Sequence, residues 1–301
     1  MLKSRLCIAF FAFAVGCAPA QKPLTDYVNP MLGTATLWDS VDLGFKPTKR
    51  TWGAEVFPGS SLPNAMVQVS PVTKFHSGAG YQYEDSVIYG FTHTNKGHWN
   101  LCHIPLLPVT GTPTPGDYCS PFSHERESAA PGYYQVFLDR YGVDAQLSST
   151  LRCAFHKYTY PAGAAPAVLA DLQRSNEHVR AWDIRKEGDN VFAGWQQTGE
   201  KMYFYAVANR PVTGIEPVVE GDREVRIVRF GEGDGALELR IGFSFVSEKN
   251  ARENLEAEML GKSFAEVRSE ATATWNDLLG RIRVEGGTER EKGLFYSSLY
   301  R

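Results

Sequence analysis

Short apolar runs recur between residues 26 and 246, and each is the length of a strand. Ala65–Val69, Tyr133–Leu138, Ala167–Leu172, Met202–Ala208, Val225–Phe230 and Leu237–Phe245 are rich in Val, Ile, Tyr and Phe. Several alternate in polarity, and Gly, Pro, Asn and Asp punctuate them. No helical periodicity of useful length interrupts the series. Many short strands without intervening helices predict a mainly β fold built on a large antiparallel β-sandwich, and argue against a parallel α/β sheet. No internal repeat of fixed period is present, which counts against a propeller or solenoid.

At about Ser247 the period changes. Glu248–Leu260 and Ser263–Leu279 place Leu255, Met259, Phe264, Val267, Ala271, Trp275 and Leu279 three and four residues apart on a charged background, the pattern of amphipathic helices. Gly261 separates the two, and Gly280 is a stop for the second. A third helical pattern begins at Thr288 and still carries Leu294, Phe295 and Leu299 close to the last residue, Arg301. An apolar helical face there implies a missing partner. The expected organisation is a leader over 1–20, a β-sandwich domain over 21–246, and linker helices with the truncated start of a helical domain over 247–301.

The leader is read from Lys3 and Arg5, the apolar run Leu6–Val15, which is too short to span a bilayer, and Ala14-Val15-Gly16-Cys17. Small residues before a cysteine resemble a bacterial lipobox, so Cys17 is the expected lipidation site; secretion with cleavage nearby is the alternative. The location implied is the bacterial periplasm or cell surface, as an outer-membrane lipoprotein. Cys102, Cys119 and Cys153 remain, an odd number with no C-x-x-C spacing, so neither a disulfide framework nor a zinc site is indicated. A Cys119–Cys153 bridge stays open, and Cys102 reads as a buried thiol.

Charge narrows the partners. The formal net charge is −3 with both signs scattered, which removes the electrostatic footprint of nucleic-acid or anionic-membrane binding. Contact with a membrane is expected only through the lipid anchor. Aromatics make up 12% of the chain, which suits β structure and the stacking of rings on sugars.

The candidate chemistry lies in Tyr89–Pro108. Two apolar runs, Val87–Phe91 and Ile104–Leu107, flank a polar insert that crowds His93, Asn95, Lys96, His98, Trp99 and Asn100 around Gly97. Turn formation needs only Gly, Asn, Asp or Pro. A loop with a tryptophan and two histidines reads instead as a binding loop.

Several segments resemble one family. Val28-Asn29-Pro30-Met31-Leu32-Gly33-Thr34, Phe57-Pro58-Gly59-Ser60-Ser61-Leu62-Pro63, Gly80-Tyr81-Gln82-Tyr83 and Gly90-Phe91-Thr92-His93-Thr94 come in the order and spacing of glycoside hydrolase family 92. The likeness continues through Phe122-Ser123-His124-Glu125, Pro131-Gly132-Tyr133-Tyr134, Ser244-Phe245-Val246-Ser247, Trp275-Asn276 and Phe295-Tyr296. The resemblance implies an exo-acting, calcium-dependent, inverting α-mannosidase that removes terminal α-mannosides from glycans. It implies a sandwich joined by linker helices to a catalytic (α/α)6 barrel, with the sugar pocket between them.

Inverting hydrolysis needs a carboxylic acid and a carboxylate roughly 6.5–9.5 Å apart. In this family they sit in the barrel, so no catalytic or metal-binding residue is expected in this chain, and calcium is expected of the longer enzyme alone. The nearest local carboxylates, Glu84-Asp85 and Glu125 with Glu127, read as a solvated face. The resemblance places the insert beside the leaving-group subsite. Trp99 and His98 are the first candidates to contact substrate; Asn95 and His93 are the second, with a core role for His93 the alternative.

The Asn95–Asn100 insert departs from the S-G-T-G form of many members, which leaves the linkage preference open. The chain is thus expected to supply one wall of a mannoside pocket and to be inactive alone. The rival readings are a stand-alone carbohydrate-binding module and a non-functional truncated gene product.

Overall fold

The computed structural model describes residues 22–37, 44–46, 55–95 and 101–301. The leader with Cys17, and Lys96–Asn100 with His98 and Trp99, lie outside these residues.

Two antiparallel sheets face each other. The first runs Ser60–Ser61, Gln68–Val72, Gly90–Thr92, Leu106–Val109, Ala167–Ala170, Arg223–Phe230 and Val212–Glu220 in spatial order. The second runs Ala181–Gly188, Val191–Gln197, Lys201–Ala208, Leu237–Ser244, Cys153–Thr159, Val143–Ser149, Tyr133–Leu138 and Glu127–Ala130. The expected large antiparallel sandwich is what forms. One core lies between the sheets, with Val69, Phe91, Leu107, Leu169 and Ile227 from the first meeting Val136, Leu147, Phe204, Leu239 and Phe243 from the second. Each such side chain contributes about 1.5–3 kcal/mol when fully buried.

Two boundaries differ from the sequence reading. The run Val87–Phe91 divides at Tyr89: Val87–Ile88 pairs with Ser120–Pro121, while Gly90–Thr92 joins the first sheet. The run at Ile104 starts its strand only at Leu106, because Leu101, Cys102 and Ile104 have φ of 68°, 58° and 55°, values that no strand contains.

Lys201–Ala208 shows why the second sheet needs a cover. Met202, Phe204, Ala206 and Ala208 point into the sandwich. Tyr205 and Val207 point outward, where they meet a second cluster containing Phe155, Leu255, Met259, Phe264 and Val267. Helix α1 (Glu248–Glu258) supplies Leu255. Gly242 permits the contact: a Cβ there would sit 2.1 Å from the Ala251 carbonyl oxygen, well inside any tolerated separation.

Helix α2 (Phe264–Leu279) and helix α3 (Glu289–Tyr300) each start with a reciprocal capping box, Ser263 with Glu266 and Thr288 with Glu291. They clasp the N-terminal segment. Trp275, Leu279, Tyr296 and Tyr300 enclose Leu24 and Val28, Asn276 exchanges hydrogen bonds with the Thr25 amide and hydroxyl at 3.1 Å each, and the Trp275 indole donates to the Ser61 carbonyl at 2.7 Å. Leu294, Phe295 and Leu299 on α3 remain 36–48% exposed. No helix among the described residues is long and apolar enough to cross a membrane.

Candidate functional site

Of the polar residues expected to bind sugar, His93 and Asn95 fall among the described residues. His93 and Asn95 are both fully buried. The Asn95 amide nitrogen donates to the Gln68 carbonyl at 2.7 Å and the Thr92 carbonyl at 2.9 Å, while its oxygen accepts from the Thr92 hydroxyl at 2.7 Å. His93 Nε2 lies 2.9 Å from His156 Nε2, and His156 Nδ1 lies 2.6 Å from the Tyr158 hydroxyl. Burial lowers the His93 pKa to about 3 and holds His156 well below its ordinary value, so both rings are neutral. Neither His93 nor Asn95 offers surface to a ligand; both organise the ends of the insert. His98 and Trp99 lie outside the described residues.

The chain returns from the insert through three left-handed residues that are not glycine, each costing about 1–3 kcal/mol. The surroundings hold them there. The Cys102 amide donates to the Thr94 carbonyl at 2.7 Å, and the Ile104 amide donates to Gln196 Oε1 at 2.8 Å. The Leu101 carbonyl accepts from the Ser175 hydroxyl and the Asn176 amide at 2.9 and 3.0 Å. Burial raises the Cys102 thiol to about 12, and Cys102, Cys119 and Cys153 are all free thiols.

Segment 173–182, tied to this return, forms one bank of a groove of about 1090 Å³. Thr73–His76 and the Asp222-Arg223 hairpin complete it, with Tyr89 and Trp182 as aromatic surfaces. The groove is built on a fully buried carboxylate. Asp171 Oδ2 accepts from the Tyr118 hydroxyl at 2.5 Å and from Arg223 Nη2 at 2.7 Å, with Arg174 Nε at 3.6 Å. The Arg174 guanidinium also lies 5.3–5.7 Å from the centroids of Phe75, Tyr89 and Tyr118, within cation–π range.

His76 is fixed as well. Its ring Nδ1 is 2.8 Å from the Asn176 carbonyl, which only accepts. Nδ1 therefore donates, and Nε2 is left for another partner. Behind the groove, Glu177 accepts from the Thr198 hydroxyl at 2.8 Å, and Thr198 meets His103 Nε2 at 3.0 Å. Burial lowers the His103 pKa to about 4.

Of the local carboxylates, Glu84 and Glu125 are exposed as a solvated face requires and Asp85 is half-buried, but Glu127 is not on that face. Glu127 has a side chain 1% exposed. It accepts from Tyr81 at 2.9 and 3.0 Å and from Tyr134 at 2.5 Å, and lies 2.5 Å from His124 Nδ1. The 3-10 turn His124–Arg126 rotates it inward while leaving Glu125 outside. Glu84 accepts from the Thr36 amide and hydroxyl at 2.7 and 2.6 Å, and Asp85 accepts from Thr73 at 2.9 Å. All three fix loops. Among the described residues no group of three or more His, Cys, Asp or Glu is placed to hold a metal ion.

Known proteins share this fold. The model of the glycosyl hydrolase family 92 N-terminal domain matches residues 27–254, and that of the family's catalytic domain matches 250–301. The chain belongs to glycosyl hydrolase family 92. Among solved family 92 structures, an α-mannosidase from Bacteroides thetaiotaomicron superposes with a TM-score of 0.81 at 25% identity, covering 93% of this chain and 41% of its own. A family 92 inverting mannosidase from the same organism gives 0.78 at 25% identity, over 92% and 39%. A protein of Arthroderma benhamiae described as an uncharacterized secreted glycosidase is 24% identical over 91% of this chain and 40% of its own. The chain thus spans about 40% of the length of these family 92 and glycosidase relatives.

Sequence reading missed the groove. Lys74, His76, Arg174, Arg180 and Trp182 form no local motif; only the pairing of strands far apart in the chain brings them together.

Proposed function

We propose that this chain is the N-terminal part of an exported, calcium-dependent, inverting α-mannosidase, with a sandwich over 21–246 and linker helices from 247. The proposal holds that its groove forms the wall facing the sugar beyond the scissile bond. The observation that carries this reading is the match to solved α-mannosidases over more than nine-tenths of the chain. One of these is solved with mannoimidazole, which supports a mannoside as ligand. Export is supported by the leader and by the secreted relative; lipidation at Cys17 rests on the leader alone.

Inversion breaks the bond between the anomeric carbon and the leaving oxygen while a base-activated water attacks the opposite face. Glu84, Asp85 and Glu127 are committed to loop contacts. In this proposal the acid, the base and the calcium ligands therefore come from outside the described residues. This chain's part is to orient and to bind. His76 Nε2 and the spare Arg174 N–H donors address sugar hydroxyls, and Tyr89 and Trp182 stack on ring faces.

The test is hydrolysis of an aryl α-mannoside and of α-linked mannobiose by the natural gene product carrying this chain, and by residues 22–301 alone. The longer protein should turn over both and lose activity to a calcium chelator. Robust turnover by residues 22–301 would overturn the division of labour, and inactivity of the longer protein with calcium would overturn the function.

A further inference from the structure

The groove runs against the charge of the chain. The protein carries a formal charge of −3, yet the groove wall presents Lys74, Arg174, Arg180 and Arg223 against only Glu177 and Asp222. Arg174 and Arg223 share a single carboxylate, Asp171. Lys74 and Arg180 are exposed, and neither has an ion-pair partner among the described residues. Of the two wall acids, Glu177 is already engaged by Thr198. His76 and His178 add two further nitrogen-bearing rings to the same surface.

Beyond the Arg174 donors that neutral hydroxyls can use, Lys74 and Arg180 add two exposed cations without ion-pair partners among the described residues. Neutral hydroxyls are satisfied by amides, hydroxyls and single charged groups, whereas unpaired ammonium and guanidinium groups beside fixed guanidinium forks match the oxygens of a phosphate or carboxylate. The aromatic surfaces of Phe75, Tyr89 and Trp182 keep the site suited to a pyranose ring. We infer that the groove recognises an acidic glycan, a sugar bearing a phosphate monoester or a uronate carboxylate, on the leaving-group side of the bond. This inference rests on the groove being the sugar-facing wall of an α-mannosidase. Recognition is binding only, and no bond changes in it.

Asp171 makes this more than a surface of loose lysines. By holding Tyr118, Arg174 and Arg223 from beneath, it fixes two cations before any ligand arrives, and a preorganised fork loses less freedom on binding. Arg174 Nη2 has no hydrogen-bond partner among the described residues, which leaves its N–H groups for a ligand.

The experiment titrates residues 22–301 with four probes: mannose 6-phosphate, mannuronate, α-linked mannobiose and inorganic phosphate. Either acidic sugar should bind at least tenfold more tightly than mannobiose, with affinity falling as salt rises. Lys74→Gln and Arg180→Gln should each weaken the acidic sugar about tenfold and leave mannobiose within twofold. Both positions are exposed and unpaired, so neither variant threatens the fold.

Preference for mannose 6-phosphate over mannuronate assigns the phosphate, and the reverse assigns the carboxylate. Mannobiose binding as tightly as both acidic sugars, or absence of any binding by the acidic sugars at millimolar concentration, would overturn the inference. Inorganic phosphate binding as well as mannose 6-phosphate would also overturn it, because the sugar would then add nothing. Turnover of neutral mannoside by the longer gene product is read separately, so failure here and failure of the mannosidase reading are distinguishable.

Discussion

The buried polar groups Glu127, His93 and Asn95 and the open groove around Arg174 lie in the same sandwich and draw on the same residue types, yet they use them in opposite ways. In the interior, Glu127 spends both oxygens on Tyr81, Tyr134 and His124, and Asn95 commits both ends of its amide. In the groove, His76, Lys74 and Arg180 keep donors or acceptors unused. A polar group that is fully partnered within the chain stabilises the fold; one held in place but not used up is available to a ligand. The difference lies in the remaining capacity, and composition alone does not reveal it.

The comparison can be broken most severely at Glu127. Glu127→Ala leaves two buried tyrosine hydroxyls and a histidine without their acceptor, and removal of one partner from such a buried charged network costs about 3–5 kcal/mol. Urea unfolding should show that loss; a loss below about 1 kcal/mol would mean the carboxylate is not structural.

A loss of about 3 kcal/mol, confined to acid pH, is expected from His103. Its pKa is lowered by burial from about 6.5 unfolded to about 4 folded. The unfolded chain therefore binds the proton first, so the contribution is complete above pH 6.5 and is lost as pH falls toward 4. Thermal melts across that window should drop, and His103→Asn should lessen the drop while the share from the buried rings of His93 and His156 stays. An unchanged profile would contradict a neutral buried ring. Next in size is Gly242→Ala, whose methyl group would meet the Ala251 carbonyl and cost about 1–3 kcal/mol through overpacking. Smallest of all, Lys74→Gln should move stability by no more than about 0.5 kcal/mol.

The same contrast shows what could be read before folding. Strands and helices were legible because their periods are local: Met202, Phe204, Ala206 and Ala208 alternate in sequence and point inward in space. Even the helix starts carry their signal, since Ser263 with Glu266 and Thr288 with Glu291 are capping boxes at fixed spacing. Asn95 was legible as unusual but not as buried, and for His93 the core role stood only as the alternative, because crowding in a sequence does not say which way a side chain faces. Glu127 read as solvated because it sits two residues from Glu125; a 3-10 turn separates their fates. The groove was illegible for another reason. Residues 74, 174 and 223 meet only because Gln68–Val72, Ala167–Ala170 and Arg223–Phe230 take places in one sheet, a long-range outcome that no short motif encodes.

The most direct measurement is kcat/KM on α-linked mannobiose for the natural gene product carrying Trp182→Ala, assayed well below its melting temperature so that folding does not limit the rate. Trp182 lines the groove and is only partly buried. If the open groove faces the sugar, kcat/KM should fall at least tenfold, about 1.4 kcal/mol of lost transition-state binding. A value within twofold of the unsubstituted enzyme would contradict the account.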